Sequence, residues 1–440
     1  MKTCILTGLM AGFFWSASGQ STAVLKPTRP TTATTLQPAT AESVGMSTDR
    51  LHRMDAIIND YIAQGRQAGV AVLVARNGRV VYHQAYGLDD VAAKTPLKRD
   101  AIFRIASQTK AITTIGLMML FEEGKFLLDD PISKYIPAFK NPTVLDKFNP
   151  ADSSYTTVPA RREITIRQLL THTSGISYAQ IGTKEAVAIY AKNRIPSGIG
   201  TPGGTLADAI NRLAKLPLLF NPGERWSYGL NTDVCGYLIE VLSGQPLDQY
   251  LRSRLFDPLG MNDTYFYLPK DRQNRLTTLY TEDSIRTLRK QLTRGGMSPD
   301  YPKLAGTYFS GGAGLSSTLA DYAAFLQMLL NGGEYNGKRL LSPTTIRLIT
   351  SNQIGDLNQG AGKFGLGFGL TTERSSARLP VSEGTYEWGG YFGTTYWVDP
   401  KEGIVALIYT QKAPNSYGDL SDKFKVLVYQ AILQSQAIGR

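Results

Sequence analysis

Histidine and cysteine are scarce in this chain, which has three histidines and two cysteines in 440 residues. Cys4 falls in an apolar run at the N-terminus, so Cys235 would be the single thiol left after processing and no internal disulfide could form. Cys235 lies in an apolar helical pattern, which favours a buried structural thiol over a nucleophile. Stability must therefore come from a hydrophobic core, which a chain of this length can supply.

The shortage of histidine also narrows the catalytic chemistry. A Ser-His-Asp hydrolase needs a histidine base, but His52 lies in a predicted helix and His83 in a predicted strand. No Gly-x-Ser-x-Gly elbow, the mark of α/β-hydrolases, occurs in the sequence. Neither HxxEH nor HExxH occurs, so we expect no metal and no cofactor. His172 lies in a motif-like loop, where a hydrogen-bonded structural role is the simplest interpretation.

The N-terminal apolar run, residues 4–15, is too short to span a bilayer. It follows a positive start and precedes small residues at 17–19, which predicts a secretory signal peptide over residues 1–19. The alternative, a short amphipathic anchor, is disfavoured because no charge interrupts the run. We therefore expect an exported protein, periplasmic or secreted, with no stable membrane span once the signal is removed.

The net charge of the chain excludes few classes of function. The formal net charge is +11, and the basic residues are scattered without a recognisable nucleic-acid-binding module. We expect a small-molecule substrate and no nucleic-acid partner, and the oligomeric state stays open.

The order of predicted elements indicates the fold class. A Thr/Pro-rich linker is predicted over residues 20–41, before a catalytic domain over residues 42–440. Strand patterns occur in the regions of about 42–110 and 305–440, and mostly helical patterns in about 111–304. This arrangement predicts an α/β (α+β) fold, in which helices flank an antiparallel sheet with an inserted helical region.

Ser107 and Lys110 open a predicted helix three residues apart, so both side chains leave the same helix face. A serine needs a neighbouring base to become a nucleophile, and a desolvated lysine can serve. Tyr228 is a candidate relay partner, although a packing role is the simpler interpretation for one tyrosine among 23. The segment Trp388-Gly389-Gly390-Tyr391 contains two glycines, which would let backbone N–H groups approach an oxyanion closely. The alternative is that the glycines mark a bulge in a strand.

Several segments in this order resemble the serine β-lactamase and penicillin-binding-protein superfamily. They are Phe103–Lys110, Leu169–Ile176, Pro222–Tyr228, Gly236–Gly244, Gly311–Leu315 and Phe364–Phe368. The resemblance covers about residues 42–435 and is greatest to class C β-lactamases and the family VIII carboxylesterases. It implies that Ser107 forms an acyl-enzyme and that Lys110 and Tyr228 share a proton. It further implies an oxyanion hole formed by the backbone N–H groups of Ser107 and Tyr391.

Two departures from the class C pattern bear on the substrate. Leu230 stands where the Tyr-x-Asn asparagine contacts a substrate amide, and Trp388-Gly389-Gly390 replaces the Lys-Thr-Gly motif. The lost lysine charge would weaken binding of an anionic β-lactam. We therefore expect a carboxylesterase for short-chain or neutral esters, with Trp388, Gly389, Gly390 and Leu230 binding substrate. The alternatives are a β-lactamase or D-amino-acid peptidase, an acyltransferase and a non-catalytic penicillin sensor.

Overall fold

The computed structural model describes Met1, residues 35–293 and residues 297–436. The predicted signal peptide beyond Met1, and residues 20–34 of the predicted linker, lie outside the described residues.

The strands of the described residues follow in chain order. They are β1 (Gln37–Pro38), β2 (Gly69–Arg76), β3 (Arg79–Asp90), β4 (Thr95–Pro96), β5 (Phe103–Arg104), β6 (Thr143–Asn149), β7 (Ser154–Pro159), β8 (Tyr280–Glu282), β9 (Leu288–Lys290), β10 (Ser316–Ser317), β11 (Glu334–Tyr335), β12 (Lys338–Arg339), β13 (Lys363–Phe364), β14 (Gly369–Leu370), β15 (Tyr386–Gly390), β16 (Thr394–Asp399) and β17 (Ile404–Tyr409).

The α-helices of the same part of the chain alternate with these strands. They are α1 (Thr48–Leu51), α2 (Arg53–Ala63), α3 (Thr109–Glu122), α4 (Ile166–Leu170), α5 (Lys184–Lys192), α6 (Leu206–Leu213), α7 (Asn231–Ser243), α8 (Leu247–Leu251), α9 (Asp257–Leu259), α10 (Leu319–Leu330), α11 (Pro343–Ile349), α12 (Glu373–Ser376) and α13 (Leu420–Tyr429). None of the described helices is long and apolar enough to cross a bilayer.

Both ends of the chain contribute to one central sheet. Its strand order is β1-β3-β2-β17-β16-β15-β14-β13, with β4 paired to the outer part of β3. All pairs are antiparallel except β1 with β3. Asn77 and Gly78 connect β2 to β3 with φ angles of 53° and 74°, the left-handed conformations that a tight hairpin turn requires. The predicted antiparallel sheet built from both termini is confirmed.

The sheet begins earlier than residue 42, the predicted start of the catalytic domain. Gln37 pairs with Arg79, and Ala39 N donates a hydrogen bond to Val80 O at 3.0 Å. Ala41 is buried as well. Because β3 offers unpaired backbone groups along this edge, a two-residue strand can form in a Thr/Pro-rich segment that has no core pattern of its own.

Helices cover both faces of the sheet. Alternate residues of β2 separate the two cores: Val72 packs with Ile58 of α2 and Phe424 of α13, while Leu73 packs in the core that holds α3 and α10. The last strand in sequence, β17, is buried along its whole length. A strand buried on both faces holds its neighbours firmly, and β15 and β16 continue from it towards the N-terminal end of α3.

The region between α3 and α10 is mostly helical, as predicted, but two hairpins interrupt it. Strands β6 and β7 form one, and β8 and β9 form the other. Helix α7 packs against α3, α4 and α6. This packing brings the loop before α7, and therefore Tyr228, to the N-terminal end of α3.

Candidate active site

Ser107 lies in a single 3-10 turn, Ala106–Gln108, that leads into α3. The preceding residue, Ala106, is fully buried and has a φ of 43°, a left-handed conformation that costs energy for any residue with a side chain. Such strain persists only where the surrounding structure holds the backbone in place. Ser107 itself is partly exposed and lines a cavity of about 510 Å³.

Lys110 lies one helical turn further on, and its side chain is buried. Its Nζ donates hydrogen bonds to Gly312 O at 2.7 Å, Tyr178 OH at 3.1 Å and Ser107 Oγ at 3.4 Å. An ammonium has three N–H donors, so these three acceptors satisfy its charged form completely. Burial alone would lower the pKa of Lys110, but its interactions with Tyr178 and Tyr228 outweigh burial and raise the pKa above the ordinary value.

The surroundings of Lys110 change the expectation that this lysine is the base for Ser107. Desolvation was expected to make this lysine a base, yet its buried partners favour the ammonium instead. In the resting site Lys110 therefore holds Ser107 Oγ by donating a hydrogen bond to it. A second group near Ser107 is then a candidate to accept the serine proton.

Tyr228 is placed to be that group. Lys110 Nζ lies 4.6 Å from the centre of the Tyr228 ring, and Trp388 Nε1 donates to Tyr228 OH at 3.4 Å. The Tyr228 ring also packs on His172 at 4.8 Å and on Tyr178 at 5.4 Å. The Lys110 charge therefore faces the ring of Tyr228, and the Trp388 N–H contacts its hydroxyl.

Tyr178 was missed by sequence reasoning. It is buried, lines the same cavity as Ser107 and accepts a hydrogen bond from Lys110. Burial raises the pKa of Tyr178, so the neutral phenol is favoured there. Its position three residues after Gly175 of the recognised loop segment is the one signal that could have drawn attention to it.

Asp233 is a second buried group that sequence reasoning did not find. Ser310 Oγ donates to its Oδ1 at 2.7 Å, and its Oδ2 has no hydrogen-bond partner among the described residues. Burial raises the pKa of Asp233, while Ser310 and the Lys110 charge lower it to a smaller extent. Asp233 Oδ2 and Lys110 Nζ both lie near Gly312, and Asp233 does not line the cavity that holds Ser107.

Strand β15 forms the opposite wall of the site. A methyl group built on Gly390 would overlap the carbonyl oxygen of Ile105, so only glycine allows this strand to lie so close to the segment before Ser107. The close approach places Tyr391, which is 54% exposed, at the cavity that Ser107 lines. Trp388 and Gly389 line the same cavity.

The cavity is apolar and uncharged. Its lining residues are Ser107, Tyr178, Gln180, Ile181, Ser197, Ile199, Tyr228, Trp388, Gly389 and Tyr391. Within the described part of the chain, no aspartate, glutamate, lysine, arginine or histidine lines it. A neutral ligand with an apolar group suits such a lining, because a buried charge would find no partner.

Leu230 does not lie where the sequence interpretation put it. The residue is 2% exposed, packs in the core and does not line the cavity. Helix α7 begins at Asn231, and Leu230 turns inward as its N-cap. Leu230 is therefore corrected from a substrate-binding residue to a core residue.

Asn231 and His172 support the loop that carries Tyr228. Asn231 Nδ2 and Gly229 N both donate to His172 Nδ1, at 3.0 and 3.4 Å. Burial, with the Lys110 charge, holds the pKa of His172 well below its ordinary value, so the ring is a neutral acceptor. The structural role expected for this histidine agrees with these contacts.

Comparison with known proteins gives a consistent result. A family model described as Beta-lactamase matches residues 54–430. Protein Rv1367c of Mycobacterium tuberculosis is 34% identical over 375 residues, which are 82% of this chain and 90% of that protein. Esterase EstB of Burkholderia gladioli is 30% identical over 399 residues, 86% of this chain and 94% of EstB.

Among solved structures, EstCE1 is described as a hydrolase with promiscuous acyltransferase activity. It superposes with a TM-score of 0.75 at 29% identity, covering 87% of this chain and 99% of EstCE1.

Proposed function

The chain belongs to the beta-lactamase family, and on that premise we propose that it is a serine carboxylesterase for neutral esters that forms an acyl-enzyme on Ser107. Its relatives include an esterase and a hydrolase with acyltransferase activity, and they support a serine hydrolase of esterase type. The observation that supports the finer proposal is the contact of Ser107 Oγ with Lys110 Nζ, 3.4 Å apart, at an apolar and uncharged cavity.

The proposed reaction follows from the positions of the donors. Ser107 Oγ attacks the ester carbonyl, and Tyr228, as the general base, takes the serine proton and passes it to the leaving alcohol. Lys110 remains an ammonium beside Ser107 Oγ and the Tyr228 ring. The backbone N–H groups of Ser107 and Tyr391 hold the oxyanion. Water then attacks the carbonyl carbon of the acyl-enzyme and gives a proton to Tyr228. The bond between that carbon and Ser107 Oγ breaks, and Tyr228 returns the proton to Ser107 Oγ.

The charge distribution favours esters over β-lactams. Trp388 stands at the position where the related lactamases carry a lysine, and Lys110, which contacts Ser107, already has three acceptors. An anionic substrate would therefore bring its carboxylate to a wall without a free cation. A neutral ester needs no such partner.

The test compares p-nitrophenyl butyrate with a chromogenic cephalosporin at equal enzyme concentration. We expect faster turnover of the ester, and faster cephalosporin turnover would favour the lactamase alternative. Ser107→Ala should abolish both activities and labelling by a fluorophosphonate probe. Ser197→Ala is the matched control, since Ser197 lines the same cavity. Full activity in Ser107→Ala would overturn the proposal.

We also propose that the protein is exported. The support is the pattern of residues 1–19, a positive start, an apolar run and small residues at the cut. Expression of the whole chain with cell fractionation and N-terminal sequencing tests it: we expect a new N-terminus at Gln20. An uncleaved chain in the cytoplasm would contradict export.

A further inference from the structure

A second cavity adjoins the candidate active site. It has a volume of about 350 Å³ and shares Gly389 and Tyr391 with the cavity that holds Ser107. Its other walls come from β16, the end of β17 and the segment that leads into α13. The volume is at the lower end of the range for small-molecule sites, about 300–1,000 Å³. Tyr391 therefore stands between two neighbouring spaces.

Polar and apolar side chains line both spaces. The cavity of Ser107 has hydroxyl groups beside Ile181, Ile199 and Trp388, whereas the second cavity has Ile408 and Leu420 beside a larger set of amide and hydroxyl side chains: Gln67, Thr394, Thr395, Thr410, Asn415, Tyr417 and Ser421. No aspartate, glutamate, lysine, arginine or histidine of the described residues lines the second cavity. Its lining can exchange hydrogen bonds with a ligand but cannot neutralise a charge on it.

Two side chains hold unused hydrogen-bonding capacity at this cavity. Gln67 Nε2 donates to Asn415 Oδ1 at 3.1 Å. That bond leaves Gln67 Oε1 as an acceptor and Asn415 Nδ2 as a donor without partners in the described part of the chain. One acceptor beside one donor matches a hydroxyl group, which both donates and accepts. The exposed ring of Tyr391 adds an apolar surface for the carbon face of a sugar.

We propose that the second cavity binds the alcohol part of the substrate, and that this alcohol is a neutral polyhydroxylated molecule such as a sugar. The inference rests on the proposed esterase function. An ester has two groups on its carbonyl carbon, and here an apolar acyl group would lie against Trp388 while the alcohol passes Tyr391. The same cavity then serves an alcohol that enters after the first product has left.

The reverse step gives a direct assay. A hydroxyl oxygen of the sugar attacks the carbonyl carbon of the acyl-Ser107 ester and forms a new ester bond. The bond between that carbon and Ser107 Oγ breaks, and the proton of the sugar hydroxyl ends on Ser107 Oγ by way of Tyr228. No other reactant is needed, and the sugar competes with water for the same acyl-enzyme.

The experiment forms the acyl-enzyme from p-nitrophenyl butyrate in the presence of methyl glucoside or glucuronate. Nitrophenol release reports acylation, and the ratio of sugar ester to free butyrate reports occupation of the second cavity. We expect at least tenfold more acyl transfer to methyl glucoside than to glucuronate at equal concentration. Equal transfer to the two acceptors would overturn the charge argument.

Variants assign the effect to the cavity. Asn415→Leu and Thr395→Val should each lower the ratio of sugar ester to free butyrate at least fivefold, and nitrophenol release measures any change in acylation separately. Asn262→Leu is the matched control, because Asn262 is exposed and lines neither cavity. Unchanged transfer in both cavity variants overturns this inference alone. Absence of nitrophenol release in the wild type instead contradicts the proposed function.

Discussion

Trp388 Nε1 donates a hydrogen bond to the hydroxyl oxygen of Tyr228, with a distance of 3.4 Å between the two atoms. The same hydroxyl belongs to a ring that lies 4.6 Å from the Lys110 ammonium. Trp388 therefore gives the site a hydrogen-bond donor as well as an apolar wall, and this donor contacts the residue whose ring faces the Lys110 charge. Trp388, which stands in place of the Lys-Thr-Gly lysine, has no positive charge, but its indole N–H still donates a hydrogen bond within the site.

Tyr228→Phe should lower kcat for p-nitrophenyl butyrate by at least about two orders of magnitude, because it removes the hydroxyl that we propose as the proton-transfer group. The ring contacts with His172 and Tyr178 remain in this variant, so the fold should persist. Steady-state kinetics measure kcat, and circular dichroism checks that the fold persists. Tyr178→Phe is the matched control, with a smaller loss expected. Equal losses in the two variants would mean that Tyr228 has no special part in proton transfer.

Trp388→Phe tests the hydrogen bond separately from the ring. The phenyl group fills much of the same space but lacks the N–H donor, so the Tyr228 hydroxyl oxygen loses the hydrogen bond that Trp388 donates. We expect kcat to fall about tenfold, which corresponds to about 1.4 kcal/mol, with KM nearly unchanged. A rise in KM at constant kcat would show instead that Trp388 only binds substrate.

Trp388→Lys tests the charge argument. A lysine at the cavity wall adds the cation that the described lining lacks, so kcat/KM for an anionic cephalosporin should rise relative to that for p-nitrophenyl butyrate. Trp388→Met, which is similar in length and uncharged, is the control. If both variants show the same ratio of kcat/KM values, charge at this position does not determine the preference.

Gly390→Ala should damage the site through the backbone. Its methyl group would overlap the Ile105 carbonyl and Thr394 Oγ1, so β15 must move away from the segment that carries Ser107. Overpacking of this kind costs about 1–3 kcal/mol, and displacement of the Tyr391 N–H should lower kcat at least tenfold. Gly203→Ala is the control, since a methyl group there meets no atom within 4 Å. Urea unfolding and ester hydrolysis measure the two effects, and wild-type values in Gly390→Ala would refute the close approach.

The sequence was sufficient for the elements that follow local patterns. The Asn77-Gly78 turn predicts its hairpin because both residues adopt positive φ, and the three-residue spacing puts Lys110 beside Ser107. Tyr178 and the Gly312 carbonyl could not be found in this way. They reach Lys110 from 68 and 202 residues away, and no local pattern encodes contacts that tertiary packing creates.

Leu230 shows how a motif position can mislead. The motif assigns a role by its distance from Tyr228, but helix α7 starts at Asn231 and fixes the direction of the preceding side chain. The first turn of that helix directs Leu230 into the core and Asn231 towards His172. Residue spacing predicts a contact only where the backbone conformation of the related family is kept.

Asp321, in helix α10, should make the stability of the fold depend on pH. It is 9% exposed, and burial raises its pKa from 3.8 to about 6 against the hydrogen bonds that Asp263 N and Thr264 Oγ1 donate to it. Between these two values the folded state binds more protons than the unfolded state, so the free energy of unfolding falls as the pH rises from about 4 to 6. The contribution lost is about 3 kcal/mol, from 1.36 kcal/mol per pKa unit.

Asp321→Asn keeps one carbonyl oxygen as acceptor and cannot ionise, so its unfolding free energy should decline less over this range. Urea titrations at pH 4, 5, 6 and 7 measure the slope, with Asp422→Asn as the exposed control. Parallel curves for the wild type and Asp321→Asn would show that Asp321 ionises with the same pKa in both states.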